Sequence, residues 1–490
     1  MRRWIAVTLL LLLLCPAARA EQEEVFSWTL QKGAEGVSAP AAMAIAQDGG
    51  VFVVGVTDDE DFTFGESRGG EDGFVLRLDA SGRMLWQGRW GGSGDDGFTH
   101  VLETGDGGCI VMGVTASTDG DAQAARGGKD GFLVRLNAQG ETVWTKCLGG
   151  TLDDELLSLQ AAGEDGYIVC GQTASRNGDL GANFGGYDAW AAYLSGEDGK
   201  PLWVIRHGLG GDDRFTHAVA SEDGCLLLGE IAEETSAATA ESEAVWTARP
   251  VAMFVSLEAG EALWQVSLGG AGNNCVEAVL PLESGWLLAG DTNAQSMMMP
   301  TGYGGQDAWV LQLRSSGAVA WQRVYGGSSD ERSHALLAVP SSGYVLLAQT
   351  ASSNGWTQGT HGGEDLWVVK MSGSGTLEWQ QALGGSDDSD PAGIVRNAQG
   401  EYLVAGTSLS QDGDIGLHRS VRTGFLARLA PNGNLLHTLK IGDDQECTLL
   451  DFQSRDGVIY LLGSMRSIDG GLLREEVWIA RLAEEGAQAD

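Results

Sequence analysis

Seven tryptophans recur along the chain at a nearly constant interval: Trp28, Trp86, Trp144, Trp203, Trp264, Trp321 and Trp379. Leu436, or its neighbour His437, stands in the eighth place, and the steps are 58, 58, 59, 61, 57, 58 and 57 residues. A fixed period of this length overrides the prior of two to four domains that 490 residues would otherwise suggest. The third unit shows the whole pattern, WTKCLGGTLDDELLSLQAAGEDGYIVCGQTASRNGDLGANFGGYDAWAAYLSGEDG.

Four strand candidates are read in each unit, separated by Gly-containing turns and with apolar spacing of two, not 3.6. One ends near the Trp; the others are Glu155 to Ala161, Tyr167 to Thr173 and Ala189 to Leu194. The run Tyr167 to Thr173 is apolar on both sides and needs cover on both faces. The last candidate alternates, as in Phe132, Val134 and Leu136 against Leu133 and Arg135, which suggests a place nearer solvent. A lone sheet of this kind would leave two apolar faces wet; stacking the sheets and bending the stack into a ring hides them. The expectation is an all-β chain, a β-propeller of about eight four-stranded blades spanning 21–490 as one domain. The first Trp strand (Phe26 to Leu30) is expected to complete the blade formed by residues 446 to 482, closing the ring.

Seventy-four glycines among 43% hydrophobic residues fit many tight turns between buried strands. Residues 1–20 read as a secretory signal: Arg2 and Arg3, the apolar run Ile5 to Leu14, and Ala18-Arg19-Ala20 before Glu21. Cys15 raises lipid attachment, although Leu14 is the wrong neighbour for it. The apolar run is short for a membrane span, and no later segment is long enough. The chain is therefore expected outside the cytoplasm, extracellular or periplasmic. Removing the three arginines of the signal takes the formal charge from −37 to −40. That field repels nucleic acid and anionic lipid and suits cationic or neutral partners.

Six cysteines follow the signal. Cys109 and Cys225 occupy the same place in different units, and Cys275 and Cys447 nearly so, too far apart to bridge. They read as small buried thiols rather than a disulfide framework.

GGTLDDELLSL, DGYIVCGQTAS, NGD, GGYDAW and the G-x-x-x-W turn resemble the repeats of bacterial secreted β-propeller proteins of the SBBP type. The likeness covers essentially residues 25 to 482 and implies the fold and export rather than an activity. More distantly, the G-x-x-x-W turn, as in Gly82 to Trp86, is similar to the tryptophan-docking turn of quinoprotein dehydrogenase propellers. The adjacent cysteine pair of that family is missing here.

Paired acids recur after a glycine pair: Asp95-Asp96, Asp153-Asp154, Asp212-Asp213, Asp330-Glu331 and Asp387-Asp388, with Asn273-Asn274 in one unit. A further acid precedes the next strand aromatic: Asp72, Asp130, Asp188, Asp307 and Asp365. Paired carboxylates can serve acid–base catalysis, but groups repeated in most units read as turn caps accepting backbone N–H bonds. Asp119-Gly120-Asp121, Asn177-Gly178-Asp179 and Asp412-Gly413-Asp414 invite calcium without matching a full calcium loop. His100, His217 and His334 read as one repeated packing position. Neither an H-E-x-x-H helix nor a C-x-x-C pair is present. No catalytic residue, cofactor or resident metal is expected.

Binding is expected where units depart from their own pattern, because loops varying on a repeated scaffold carry recognition. Those loops contain Trp246 (within 230–250), Met297, Met298, Met299 and Tyr303, and Trp356 with His361. His418, Arg419 and Arg474 mark the departures of the last two units. The reading is an exported, monomeric, non-enzymatic binding or scaffold protein recognising an extracellular protein or glycan. A passive surface-layer component and a carbohydrate-active or quinoprotein-like redox propeller enzyme are the alternatives.

Overall fold

A computed structural model describes residues 26–33, 36–59, 64–181, 183–236, 245–270, 272–294, 304–416, 421–442, 445–469 and 472–482. The expected signal at 1–20 lies outside these residues. Among the described residues, apart from one turn of 3-10 helix at Gly120–Ala122, every regular element is a strand.

The strands form eight antiparallel, blade-like units of four. In the second unit they are Asp96–Glu103, Cys109–Thr115, Asp130–Leu136 and Thr142–Leu148, paired in chain order. Six units are separate four-stranded sheets. The eighth is completed by the amino-terminal strand Phe26–Lys32, which pairs with Leu472–Leu482. The first and eighth units do not stay separate as expected. Leu472–Leu482 overhangs Phe26–Lys32, and its Arg474 and Glu475 pair in parallel with Gly36 and Val37, merging the two into one eight-stranded sheet.

Eight apolar cores hold the units together, each drawn from two neighbours. Phe52 and Val54 meet Phe98 and Val111 between units one and two; Ile110 and Met112 meet Val169 and Trp190 between two and three. The succession continues through the remaining pairs. Its last member joins Tyr460 and Leu462 of unit eight to Val51 and Val53 of unit one. The second strands Val51–Thr57 and Cys109–Thr115 are buried on both faces for this reason.

The third strands are equally buried, contrary to the solvent-side place suggested by their alternation. Asp72–Leu78, Asp130–Leu136 and Asp365–Met371 are covered throughout. Their cations turn back inside the sheet. Arg77 Nη1 donates to the Leu78 carbonyl at 2.7 Å, Nη2 reaches Asp48 at 2.6 Å, and the guanidinium stacks on Phe52 at 4.4 Å. Arg135 repeats the pairing with Asp106 at 2.7 Å. The wet strand is the fourth, where Leu85, Val143, Leu202 and Leu263 are exposed.

Beside each of those residues the repeated Trp faces inward and docks on the following unit. Trp86 Nε1 donates to the Ala138 carbonyl at 2.9 Å, Trp144 to Gly196 at 3.0 Å, and Trp203 to Leu257 at 2.8 Å. Trp28 does the same to Ala80 of unit one at 3.0 Å. The turn beneath each ring needs glycine: at Gly140 φ is +80°, and a Cβ would sit 2.6 Å from the Trp86 indole. Leu436, in the eighth place, is exposed instead.

Trp144 is nearly buried, so Trp144→Ala should destabilise the chain by about 3–5 kcal/mol. Trp144→Phe, which keeps much of the apolar surface and loses the hydrogen bond, should cost about 1–2 kcal/mol. Urea unfolding followed by tryptophan fluorescence and circular dichroism tests the ranking, which equal midpoints for the two variants would contradict.

Candidate functional site

Between consecutive units the glycine-pair loop runs from a fourth strand into the next first strand, and the repeated acids gather around it. The first acid of each pair accepts a backbone N–H from the loop before the preceding third strand. Asp153 Oδ1 takes Lys129 N at 3.0 Å, Asp212 takes Tyr187 N at 2.9 Å, and Asp330 takes Gln306 N at 2.9 Å. The second acid is buried and closes its own loop: Asp154 Oδ2 accepts Gly150 N at 2.7 Å and Ser175 Oγ at 2.7 Å. Asp96 repeats both bonds with Gly92 and Ser117. In the seventh unit the pattern is shifted by one residue. Asp388 takes Glu364 N at 2.9 Å, and Ser389, not an acid, occupies the buried place.

The third-strand acids lie opposite. Asp130 Oδ2 accepts Arg126 N at 2.6 Å, Asp188 accepts Phe184 N at 2.7 Å, and Asp365 accepts His361 N at 2.7 Å. The Oδ1 atoms of Asp72, Asp130, Asp188 and Asp365 are buried without a hydrogen-bond partner. Each points at the glycine pair: a Cβ on Gly149 would lie 1.7 Å from Asp130 Oδ1 and 2.7 Å from Asp154 Oδ2. Burial raises Asp130 to about 6, and the Asp154 carboxylate adds to the rise. Asp72 and Asp188 are raised too, chiefly by burial. These acids are built into the joints between units.

The Asp–Gly loops are staples across the same joints. Asp119 Oδ1 accepts Ser93 N at 2.7 Å, Asn177 accepts Thr151 N at 3.0 Å, and Asp412 accepts Ser386 N at 2.7 Å. Asp121 pairs with Arg68, and Asp179 with Arg126. His361 takes the place of those arginines, with its ring between Asp365 at 3.8 Å and Asp414 at 3.7 Å. Trp356 is on the same end of the molecule, its backbone N–H donating to the Gly326 carbonyl at 3.0 Å, and the residue is 40% exposed. Met297, Met298, Met299, Tyr303, His418 and Arg419 lie outside the described residues, as does the side chain of Trp246. The backbone of Trp246 pairs with Glu234 in the long hairpin that replaces the loop of unit four.

On this end three further apolar side chains face solvent that sequence reasoning passed over: Leu152, Phe184 and Leu209, between 49% and 62% exposed. They sit inside repeated loops, so the search for departures from the repeat missed them. Phe184 and Leu209 are neighbours. Their N–H groups bind the facing acids Asp188 and Asp213, and a Cβ on Gly185 would touch the Gly210 backbone. Close by, the Tyr187 hydroxyl is raised by burial and by Asp153, Glu155 and Asp212. Ser67, within Gly65-Glu66-Ser67-Arg68-Gly69, has the spacing of a nucleophile elbow. It is exposed and its hydroxyl donates to the Gly69 carbonyl at 3.4 Å.

The histidines are not one repeated position. First strands carry a bulge, and His100 and His217 follow it while His334 occupies it. Desolvation lowers all three, with His100 and His217 partly covered and His334 exposed. The six cysteines are free thiols; Cys109, Cys147, Cys170, Cys225 and Cys447 are buried, and Cys275 partly so. Among the described residues, Cys275, Glu277 and Asp291 alone bring three metal-capable side-chain atoms within 4.8 Å of one another.

No protein-family model matches the chain, so the likeness to SBBP-type repeats stands on the sequence alone. The regulatory protein FlaEY of Caulobacter vibrioides is 25% identical over 431 residues, 79% of this chain and 44% of that protein. The chain thus spans less than half the length of this relative. Among solved structures, the Neurospora crassa Pan2 WD40 domain aligns with a TM-score of 0.40 at 9% identity, covering 75% of this chain and 86% of that one. The Pyrococcus horikoshii acylaminoacyl peptidase aligns at 0.42 and 8%, covering 89% and 58%. These likenesses say nothing of the chemistry of this chain.

The raised acids set a pH dependence. A folded value near 6 against 3.8 for the free side chain means that Asp130 stabilises the fold fully below pH 4 and loses that contribution as pH rises through 6. The lowered histidines act in the opposite sense, so the signature is a difference. Asp130→Asn should gain stability relative to the wild type between pH 5 and pH 7.5, measured as urea midpoints. A difference that stays flat across that range would contradict the assignment.

Proposed function

We propose that this chain is an exported, non-enzymatic binding propeller whose loop-bearing end recognises a basic, partly apolar polypeptide segment. The observation that carries the reading is the exposure of Leu152, Phe184, Leu209 and Trp356 on that one end. Large apolar side chains grouped on a polar surface mark interaction sites rather than packing. Asp188 and Asp213 bind the backbone of Phe184 and Leu209, Asp153, Glu155 and Asp212 surround the Tyr187 hydroxyl, and the whole chain carries a formal charge of −37. Acids around an apolar centre favour a cationic partner and speed its encounter.

Two further features support the same reading. Eight apolar cores follow one another, with the last linking unit eight back to unit one, which fits a closed eight-bladed ring. Such a ring is a rigid platform for loops. The repeated acids that could have served catalysis are occupied in joints between units. The relative's name describes a regulatory protein, a role compatible with binding another polypeptide.

The test uses the secreted, processed chain against an array of basic amphipathic peptides and a glycan array. Peptide binding is expected, weakening with salt and at least tenfold weaker for Phe184→Ala. Leu202→Ala on a fourth strand should bind like the wild type. Binding unchanged by Phe184→Ala, or no peptide bound, overturns the reading. Glycan binding lost in Trp356→Ala with no peptide bound would transfer the role to sugar recognition.

A further inference from the structure

Unit five breaks the repeat at the start of its first strand. Where units two, three, four and six place a buried acid it has Asn274, joined to Thr292 by a single isolated bridge, and its regular first strand begins only at Ala278. In units three, four and six the residue at the register of Cys275 is Glu155, Arg214 and Arg332. Those side chains make ordinary polar pairs: Glu155 with Gln172 at 2.8 Å, Arg214 with Glu230 at 2.8 Å, and Arg332 with Glu364 at 3.2 Å. In unit five the cation is replaced by a thiol and the partner strand offers Asp291, which is 5% exposed. Glu277, just before that strand and at the place other units give to their bulge residue, completes the group.

The surroundings set this group apart from an ordinary acidic surface. Five of the cysteines are packed in apolar cores, whereas the Cys275 thiol is partly open and faces two carboxylates. Its ionisation is opposed by burial, by Asp291 and by Glu277, and the groups acting most strongly on it include no cation. Asp291 is buried beside Glu277 with no cation among its strongest influences either. Its Oδ1 accepts Ser333 N at 2.7 Å, while Ser333 Oγ is tied to the Gly290 carbonyl at 2.8 Å. A carboxylate held by a backbone N–H and offering an oxygen within 4.8 Å of a thiol and a second carboxylate is the arrangement by which outer hydrogen bonds orient a metal ligand. His217 and His334 flank Glu277 from units four and six, and its charge acts on both imidazoles.

The geometry points to a divalent-cation site formed by Cys275 Sγ and the carboxylates of Glu277 and Asp291, suited to a borderline-soft ion such as Zn²⁺. A thiolate selects against Ca²⁺ and Mg²⁺, which prefer oxygen alone, and a mixed sulfur and carboxylate set suits zinc. Three protein ligands leave one tetrahedral position, which water fills and which His334, at the register of Glu277 in the adjoining first strand, adjoins. As the Sγ–metal bond forms, the thiol proton leaves to solvent, and the ion supplies the positive charge that Arg214 and Arg332 provide in the neighbouring units.

The experiment loads the chelator-treated, desalted full chain with Zn²⁺ by isothermal titration and with Co²⁺ under absorbance. One equivalent should bind, with a thiolate-to-cobalt charge-transfer band that is lost in Cys275→Ser. Glu277→Gln, at an exposed side chain that leaves folding intact, and Asp291→Asn should weaken Zn²⁺ binding by about 10–100-fold. Zn²⁺ should also protect Cys275 from iodoacetamide, read by peptide mass spectrometry. A cobalt complex without the thiolate band, or Zn²⁺ affinity unchanged in Glu277→Gln, overturns the site. Peptide binding by Phe184 is read separately, so either result stands without the other.

Discussion

Everything in this molecule rests on one contact between units: an indole on a fourth strand seated on the next unit's turn. It combines burial of a large ring with a directed hydrogen bond, from Trp144 to Gly196 at 3.0 Å and from Trp28 to Ala80 at 3.0 Å. A sheet apolar on both faces could slide against its neighbour, since hydrophobic attraction is non-directional. The indole N–H fixes the offset. The contact also explains the period: the donor lies 51 to 54 residues before its acceptor. Where it weakens, the structure substitutes. Trp321 keeps its ring under Gly375 but its N–H finds no acceptor, and the Tyr325 hydroxyl donates to the Gly375 carbonyl at 2.5 Å.

The second constraint acts at the joints, where the glycine pair lets two carboxylates approach one backbone from opposite sides. Gly91 stands between Asp72 and Asp96 as Gly149 stands between Asp130 and Asp154. A buried charged pair usually destabilises. Here the backbone N–H groups of the loop meet part of the demand, and the raised acids meet the rest by holding a proton more readily. The joint therefore responds to pH.

Period, strand count and the completion of unit eight by Phe26–Lys32 were legible because each is written in many copies. The burial of the third strand was not, since Arg135 reads as a solvent-facing residue until its guanidinium is seen against Asp106 and the Leu136 carbonyl. His334 was grouped wrongly with His100 and His217: it lies three residues after Glu331 rather than four, which puts it on the bulge. Of the expected binding residues, Trp356 and His361 share the loop-bearing end, but His361 is engaged by Asp365 and Asp414. Phe184 and Leu209 were hidden by lying within a conforming repeat, where apolar residues read as core.

Repetition itself divides the chain between structure and function. A residue type present in most units is fixed by a contact that most units must make, as Asp154 and Trp144 are. Chemistry that needs one asymmetric site can arise only where that contact has been given up. Unit five gives up its buried acid for Asn274, and the first strand no longer starts at the joint. Cys275 and Glu277 still bond the second strand, Cys275 N to the Asp291 carbonyl at 3.1 Å and Glu277 N to the Ala289 carbonyl at 2.8 Å, and their side chains are those that meet Asp291. Loss of a structural acid and gain of a ligand cluster thus coincide in unit five, and none of the other seven units has an equivalent group among the described residues.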